Sequence, residues 1–393
     1  MNFLWSGFVV MMNMLNKYLV TIVNLEKWKS MKETIQIKVK TKTENNFNDN
    51  KKEDNKKRSK VFLSVFIFVL CLTLITLSLS STISNTNYSS SFFVYAKEQS
   101  ENDNVNNKTT SSDTIEYTHH KTLVNGIIVH YVIGGNGDPI VLLHGWPETW
   151  YEWRHIIPKL IANNYTIIVP DLRGLGDSEK PQTGYDKKTV AEDIYQLVKK
   201  LGYSKVYLVA HDWGGPVAYS YAAAHPQDVK KMVILDTLLP GFGVEEATKF
   251  SPNGLWHLSF HAVRDLPEKL IDGQEDTYIN WFYDHYSYNQ SAITSKDREE
   301  YIKQYSKPGA MRAGFEYYRA IFEDAQQNKE YAKQKLDIPI LTIGGEKAIG
   351  NLTTTSFQKV ANNVTGMTLP NTGHFIPEER PNFLTKEILE FFK

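Results

Sequence analysis

The sequence predicts an α/β domain: a mainly parallel sheet covered by helices on both faces, interrupted late in the chain by a helical insertion. Two observations carry this. From about Ile115, short β-branched and aliphatic runs alternate with stretches of helical periodicity, and strand–helix–strand repetition implies right-handed crossovers and parallel pairing. Between Pro240 and about Lys335 the strand signal stops and aromatic residues in helical sequence replace it, before strands return.

Taken in order, Val129–Ile133, Ile140–Leu143, Thr166–Val169, Val206–Val209 and Met232–Leu235 are short runs that read as strands buried on both faces. Between them, Val190, Ile194, Leu197, Val198 and Leu201 fall at i, i+4, i+7, i+8 and i+11, one apolar stripe with Lys199 and Lys200 turned outward. Ala218, Ala222 and Ala223 let the helix after Trp213 pack close to the sheet, and Pro226 stops it. The insertion carries Trp256, Phe260, Tyr278, Trp281, Phe282, Tyr286, Tyr301, Tyr305, Phe315 and Tyr318. Ligands of such sheets bind beyond the carboxyl ends of the strands, where an insertion of this kind forms a lid. Ile338–Ile343 and Met367–Leu369 resume the sheet, and Asn382–Phe392 closes the chain as a helix. The expected domains are therefore a core of 115–240 and 336–393 with a lid of 241–335.

The chain upstream is of another kind. The 393 residues hold 44 basic and 44 acidic groups, but residues 1–96 carry 13 basic against 6 acidic, so a leader of +7 precedes a remainder of −7. Residues 1–60 read as a basic, largely disordered leader: Glu26–Lys60 is rich in Lys, Asn, Glu and Asp with almost no apolar periodicity, after a shorter apolar stretch at Phe3–Val23. Val61–Leu79 is uncharged and long enough to cross a hydrocarbon core roughly 30 Å thick. The basic run before it predicts export of the chain on its C-terminal side. The segment reads as an uncleaved signal anchor or as a signal peptide cleaved near Ala96, and 81–114 reads as a flexible linker. The expected localisation is thus membrane-anchored, with the catalytic domain outside the cytoplasm, or secreted. A single cysteine, Cys71, excludes an intramolecular disulfide framework and a cysteine-based zinc site. The domain's negative balance argues against nucleic-acid partners.

At the end of the Val206–Val209 strand stands Ala210-His211-Asp212-Trp213-Gly214-Gly215, followed at once by helical sequence. Small residues on either side of a central residue permit a tight strand-to-helix turn that projects its side chain. The central residue is Asp212. His144-Gly145-Trp146-Pro147 follows the Ile140–Leu143 strand, and Asp171-Leu172-Arg173-Gly174-Leu175-Gly176-Asp177-Ser178 follows the next. Together these resemble the α/β-hydrolase superfamily, in its epoxide hydrolase and haloalkane dehalogenase branch, from about Ile115 to Lys393. The resemblance implies an eight-stranded, mainly parallel sheet with a helical lid inserted after strand 6, and Asp212 as a nucleophile that forms an alkyl-enzyme ester. It also implies that water attacks the Asp212 carbonyl, with the backbone N–H groups of Trp146 and Trp213 holding the oxyanion. The plainer alternative for Asp212 is a helix N-cap.

The same resemblance implies a late histidine as base, and His374 in Asn371-Thr372-Gly373-His374-Phe375 matches it. The orienting carboxylate is expected at Asp236, at a strand end, with Glu346 in reserve. Ring opening needs a donor for the departing oxygen. Met311–Ala320 resembles the family's second tyrosine segment, with Tyr318 as donor, and Leu255-Trp256-His257-Leu258 is similar to a subgroup that uses histidine, His257, as the other; the alternative for His257 is packing. The expected function is opening of small apolar epoxides to diols by water, without cofactor or metal. Dehalogenation of haloalkanes or haloacetates on the same nucleophile is the enzymatic rival, Trp213 resembling a halide-binding residue. A non-catalytic binding module on the same scaffold is the remoter one.

Overall fold

Strand runs without a polar face can be buried only in a sheet covered on both sides, and that is where these lie. The computed structural model describes residues 117–248 and 255–393, all within one unit, Thr109–Lys393. The strands are β1 (Tyr117–Val124), β2 (Ile127–Gly134), β3 (Asp138–Leu143), β4 (Tyr165–Pro170), β5 (Val206–His211), β6 (Val229–Leu235), β7 (Ile340–Gly345) and β8 (Val364–Leu369). They form one eight-stranded sheet in the order β1-β2-β4-β3-β5-β6-β7-β8. β2 pairs antiparallel with β1 and β4, and the other pairs are parallel.

Side-chain alternation along the strands divides the interior in two. Val141, Leu143, Leu208, Ala210, Met232 and Ile234 face one core, under α2 (Lys187–Lys200) and α3 (Gly214–Ala224). Their neighbours Ile140, Leu142, Val209, Val233 and Leu235 face the other, under α1 (Ile157–Ala162) and the final helix. The predicted stripe of α2 is buried at Val190, Ile194, Leu197 and Val198, and the Asp186 side chain caps its N-terminus by accepting the Thr189 N–H at 3.0 Å.

Between β6 and β7 the chain leaves the sheet for α4 (Val244–Ala247), α5 (Trp256–Ala262), α6 (Leu266–Ile271), α7 (Glu275–Tyr286), α8 (Ser295–Tyr305), α9 (Ala310–Arg319) and α10 (Ile321–Tyr331). After β7 come α11 (Leu352–Gln358), α12 (Ile376–Glu379) and α13 (Pro381–Phe392). A buried ion pair ties the insertion to α2: Lys187 Nζ donates to Asp324 at 2.7 Å and to the Tyr317 carbonyl at 2.6 Å.

β1 is absent from the predicted strands. Its residues YTHHKTLV are mostly exposed, so no apolar run marks it; the signal that does is the two-residue turn Asn125-Gly126, both at positive φ (45° and 79°), which closes a hairpin with β2. Val61–Leu79, the leader and the linker lie outside the described residues. No helix among the described residues is long and apolar enough to cross a membrane; α2, at 14 residues, carries four lysines and two acids.

Candidate active site

Parallel pairing places the carboxyl ends of β3, β5, β6, β7 and β8 along one edge of the sheet, and the side chains that can do chemistry follow those ends. Asp212 comes directly after β5 with φ 47°, a left-handed conformation that costs a non-glycine residue of the order of 1–2 kcal/mol. Glycines make room for it. A Cβ on Gly145 would strike the Asp212 side chain, and one on Gly214 would strike the Leu143 carbonyl. The turn aims the carboxylate at the main chain after β3, where Oδ1 accepts the Trp146 N–H at 2.8 Å. No bond from the Trp213 N–H to this carboxylate is present among the described residues; Trp213 instead opens the first turn of α3.

His374, on the loop after β8, holds its Nε2 3.7 Å from Asp212 Oδ2 and its Nδ1 2.7 Å from Asp236 Oδ2. Asp236 follows β6, is fully buried, and accepts at Oδ1 from the Gly345 N–H (2.7 Å) and the Ile349 N–H (3.2 Å). These donors leave it a single free direction, toward the imidazole. Glu346 makes no such contact: it is exposed, with its carboxylate accepting the Asn371 N–H and near Lys347. Asp236 is thus the carboxylate in contact with His374, and Glu346 is not.

The helices between β6 and β7 close the other side of a cavity of about 680 Å³ whose lining includes Trp146, Asp212, Trp213, His257, Tyr318 and His374. His257 comes from α5 and Tyr318 from α9, their ring centroids 5.8 Å apart. Burial, then the charge of His374, pushes His257 down to about 3, so it is a neutral imidazole. Burial, then the Asp212 carboxylate, drives the Tyr318 phenol well above its usual range. Both therefore keep donor hydrogens through neutral and mildly alkaline pH. The rings of Trp213 and Tyr318 meet edge-on at 4.9 Å, and Phe282 and His261 stand against Trp146 at 4.8 Å each.

In two of the three sequence motifs the ionisable side chains His144 and Asp171 hold loops in place rather than line the cavity. His144 is buried and donates from Nδ1 to the Gly145 carbonyl while Nε2 accepts the Leu172 N–H at 3.0 Å, which locks the turn that carries Trp146. Asp171 accepts from the Trp150 and Asp177 N–H groups and from His130.

Sequence reading also passed over a buried group behind His374. His211 lies 2.9 Å by Nε2 from the His374 carbonyl and by Nδ1 3.3 Å from Glu148 and 3.2 Å from Glu152. Burial alone would lower His211, but the bond to Glu148 and the surrounding carboxylates hold it up. Burial and the Glu148 charge push Glu152 well up, so Glu152 is the member that keeps a proton. The position of Glu148, directly after His144-Gly145-Trp146-Pro147, is the one clue in the sequence. This group, and His130 with Asp171 and Asp177, are compact enough to grip a cation; in the second cluster the carboxylates are already taken, Asp171 by His130 and the Asp177 N–H, and Asp177 by Lys307.

The arrangement can attack an electrophilic carbon from Asp212, activate water at His374, and donate hydrogen bonds to a leaving atom from the insertion. The α/β-hydrolase fold profile matches residues 138–381. The soluble epoxide hydrolase of Corynebacterium sp. (strain C12) is 42% identical over 283 residues, 70% of this chain and 98% of that one. A solved structure of the epoxide hydrolase CorEH without ligand superposes with a TM-score of 0.66 at 41% identity, covering 70% of this chain and 99% of that one. A fluoroacetate dehalogenase of Burkholderia sp. is 32% identical over 204 residues, 50% of this chain and 67% of that one. The first relative is named for a soluble enzyme, and the described helices are too short and too charged to span a bilayer; the expectation of a domain anchored in a membrane, or secreted after cleavage near Ala96, is overturned and withdrawn. The sheet order, the matched profile and the near-full-length identity to epoxide hydrolases lead to one conclusion: this chain belongs to the α/β-hydrolase family, in its epoxide hydrolase branch.

Proposed function

We propose that the protein is a hydrolase that opens epoxides to vicinal diols through an ester on Asp212. Asp212 Oδ2 attacks a ring carbon, the C–O bond breaks, and the oxygen leaves with the electron pair, held by hydrogen bonds from Tyr318 and His257 and protonated by Tyr318. His374, oriented by Asp236, then takes a proton from water as the hydroxide adds to the Asp212 carbonyl, the oxyanion lying at the Trp146 N–H with the Trp213 N–H as the expected second donor. Collapse returns that proton to the departing diol oxygen, and the remaining water proton restores Tyr318. Residues 241–335 act as the lid that keeps bulk water from the ester, over the core of 115–240 and 336–393.

The observation that carries the reading is the pairing of an Asp212 carboxylate, already bonded to the Trp146 N–H, with two neutral, buried donors across the same cavity. The apolar walls suit small hydrophobic epoxides. The experiment is the His374→Gln variant with an aromatic and an aliphatic epoxide. Its intact mass should increase by one substrate, on Asp212, and stay increased; absence of the adduct together with no diol from the wild type would sink the proposal.

One observation favours a second reading, carbon–halogen cleavage on the same nucleophile. Trp146 and Trp213 are cavity-lining residues whose indole N–H groups are buried and have no hydrogen-bond partner among the described residues; Trp213 Nε1 lies near the Tyr318 hydroxyl outside hydrogen-bonding geometry. Unsatisfied donors of this kind suit a halide leaving group. Halide release from haloalkanes or haloacids without diol formation from epoxides would move the assignment there.

A further inference from the structure

Tyr286, the last residue of α7, touches both halves of the site. Its carbonyl oxygen accepts the His374 N–H at 2.8 Å, and its hydroxyl lies 3.3 Å from His257 Nδ1. Its ring stands 5.7 Å from His257 and 6.5 Å from His374, and its side chain is part of the cavity wall.

A neutral imidazole has one N–H, so the nitrogen that bears it decides whether His257 donates into the cavity or presents a lone pair there. Nδ1 is engaged by Tyr286, and no hydrogen bond of Nε2 is present among the described residues. A lone pair at Nε2 would repel an oxygen gaining negative charge; an N–H would stabilise it. Burial pushes the Tyr286 phenol up to about 12, so its hydroxyl keeps its hydrogen.

We propose that Tyr286 is a positioning residue for ring opening: its hydroxyl donates to His257 Nδ1 and so holds the tautomer whose Nε2–H is offered to the epoxide oxygen. The inference rests on the epoxide-opening reading above. It assigns the α7 terminus a double task, main chain to the base and side chain to the donor, and couples two residues 117 positions apart in sequence through one neighbour.

The Tyr286→Phe variant separates the two tasks, since it keeps the ring and the carbonyl bonded to His374. With enzyme in excess over an epoxide, adduct formation on Asp212 should slow about fivefold, the worth of one neutral hydrogen bond, while adduct decay changes by less than twofold. In a His257→Phe background the same change should slow adduct formation no further, because the hydroxyl acts only through the imidazole. In protein labelled with 15N-histidine, His257 should be protonated at Nε2 in the wild type and mixed between the two nitrogens in the variant. The proposal is overturned if Tyr286→Phe forms adduct at the wild-type rate, if both steps slow equally, if the effect adds in full to that of His257→Phe, or if the tautomer is unchanged. A wild type that forms no adduct with any epoxide removes the functional reading and this inference together; a wild type that does, with an indifferent variant, removes this inference alone.

Discussion

The two walls of the cavity are built differently. On the sheet side, Asp212 and Asp236 stand immediately beyond strand ends, each at positive φ (47° and 39°), and each is fixed by backbone N–H donors. On the insertion side, His257 and Tyr318 hang from separate helices among aromatic rings that meet them edge-on or tilted, and the hydrogen-bond contact of His257 is a single 3.3 Å one from a third helix. The sheet wall is held by main-chain geometry that tolerates little change. The insertion wall is held by side-chain packing, which tolerates volume-conserving exchange with small losses. Asp212, His374 and Asp236, the nucleophile, base and acid of the proposed reaction, are thus preorganised by the fold, whereas the proposed leaving-group donors His257 and Tyr318 sit where packing can vary. Epoxide hydrolases and a dehalogenase among the similar proteins fit that division.

The largest expected effects lie at the sheet wall. His374→Gln should lower steady-state turnover by about ten-thousandfold or more, as removal of a base from a nucleophile–base–acid set does, with the stable adduct as its signature; turnover within tenfold of wild type would break the assignment. Asp236→Asn, which keeps the size but favours the wrong imidazole tautomer, should cost up to about ten-thousandfold and slow adduct decay more than adduct formation. Crossing the cavity, Tyr318→Phe should cost about a hundredfold, now in adduct formation with decay unchanged, as measured by single-turnover quench. An equal loss in both steps would erase the distinction between the walls.

The smallest effect concerns stability. His257 is buried and its folded pKa is lowered to about 3 from an ordinary 6.5, so as pH falls below 6.5 the unfolded chain takes up a proton that the folded one refuses. Stability is full above 6.5 and falls by at most about 1.4 kcal/mol per pH unit from this group as pH drops toward 3. Buried His261, also shifted well down by burial and then by His257, adds to the same trend. Thermal melts from pH 7 to 5 should therefore fall less steeply in His257→Leu than in the wild type; identical slopes would show that the imidazole is solvated.

The parts of the site that the sequence announced share a property: each is tied to a local pattern. Asp212 lies between small residues at a strand end because a turn that tight needs them, and the required space is visible in Gly145 and Gly214. Asp236 is readable because an acid directly after a buried strand has few other places to point. The resemblance of three motifs brought the family, and with it His374, Tyr318 and His257. Hidden from such reading were Tyr286, one aromatic among many in the insertion, and the His211, Glu148 and Glu152 group, whose members meet only when β5, the loop after β3 and the 3-10 turn Trp150–Trp153 pack together. β1 was hidden for the opposite reason, an edge strand whose exposed polar face leaves no apolar period.

By itself, then, the amino-acid order determined the alternation of strand and helix, the insertion after β6, and the tight turn that projects Asp212, because these depend on periodicity and turn chemistry over a few residues. Only the tertiary structure decided which carboxylate contacts His374, leaving Glu346 exposed, and which hydroxyl reaches His257. Those choices rest on hydrogen bonds a few ångströms long between segments up to 138 residues apart, and no local pattern encodes a distance of that kind.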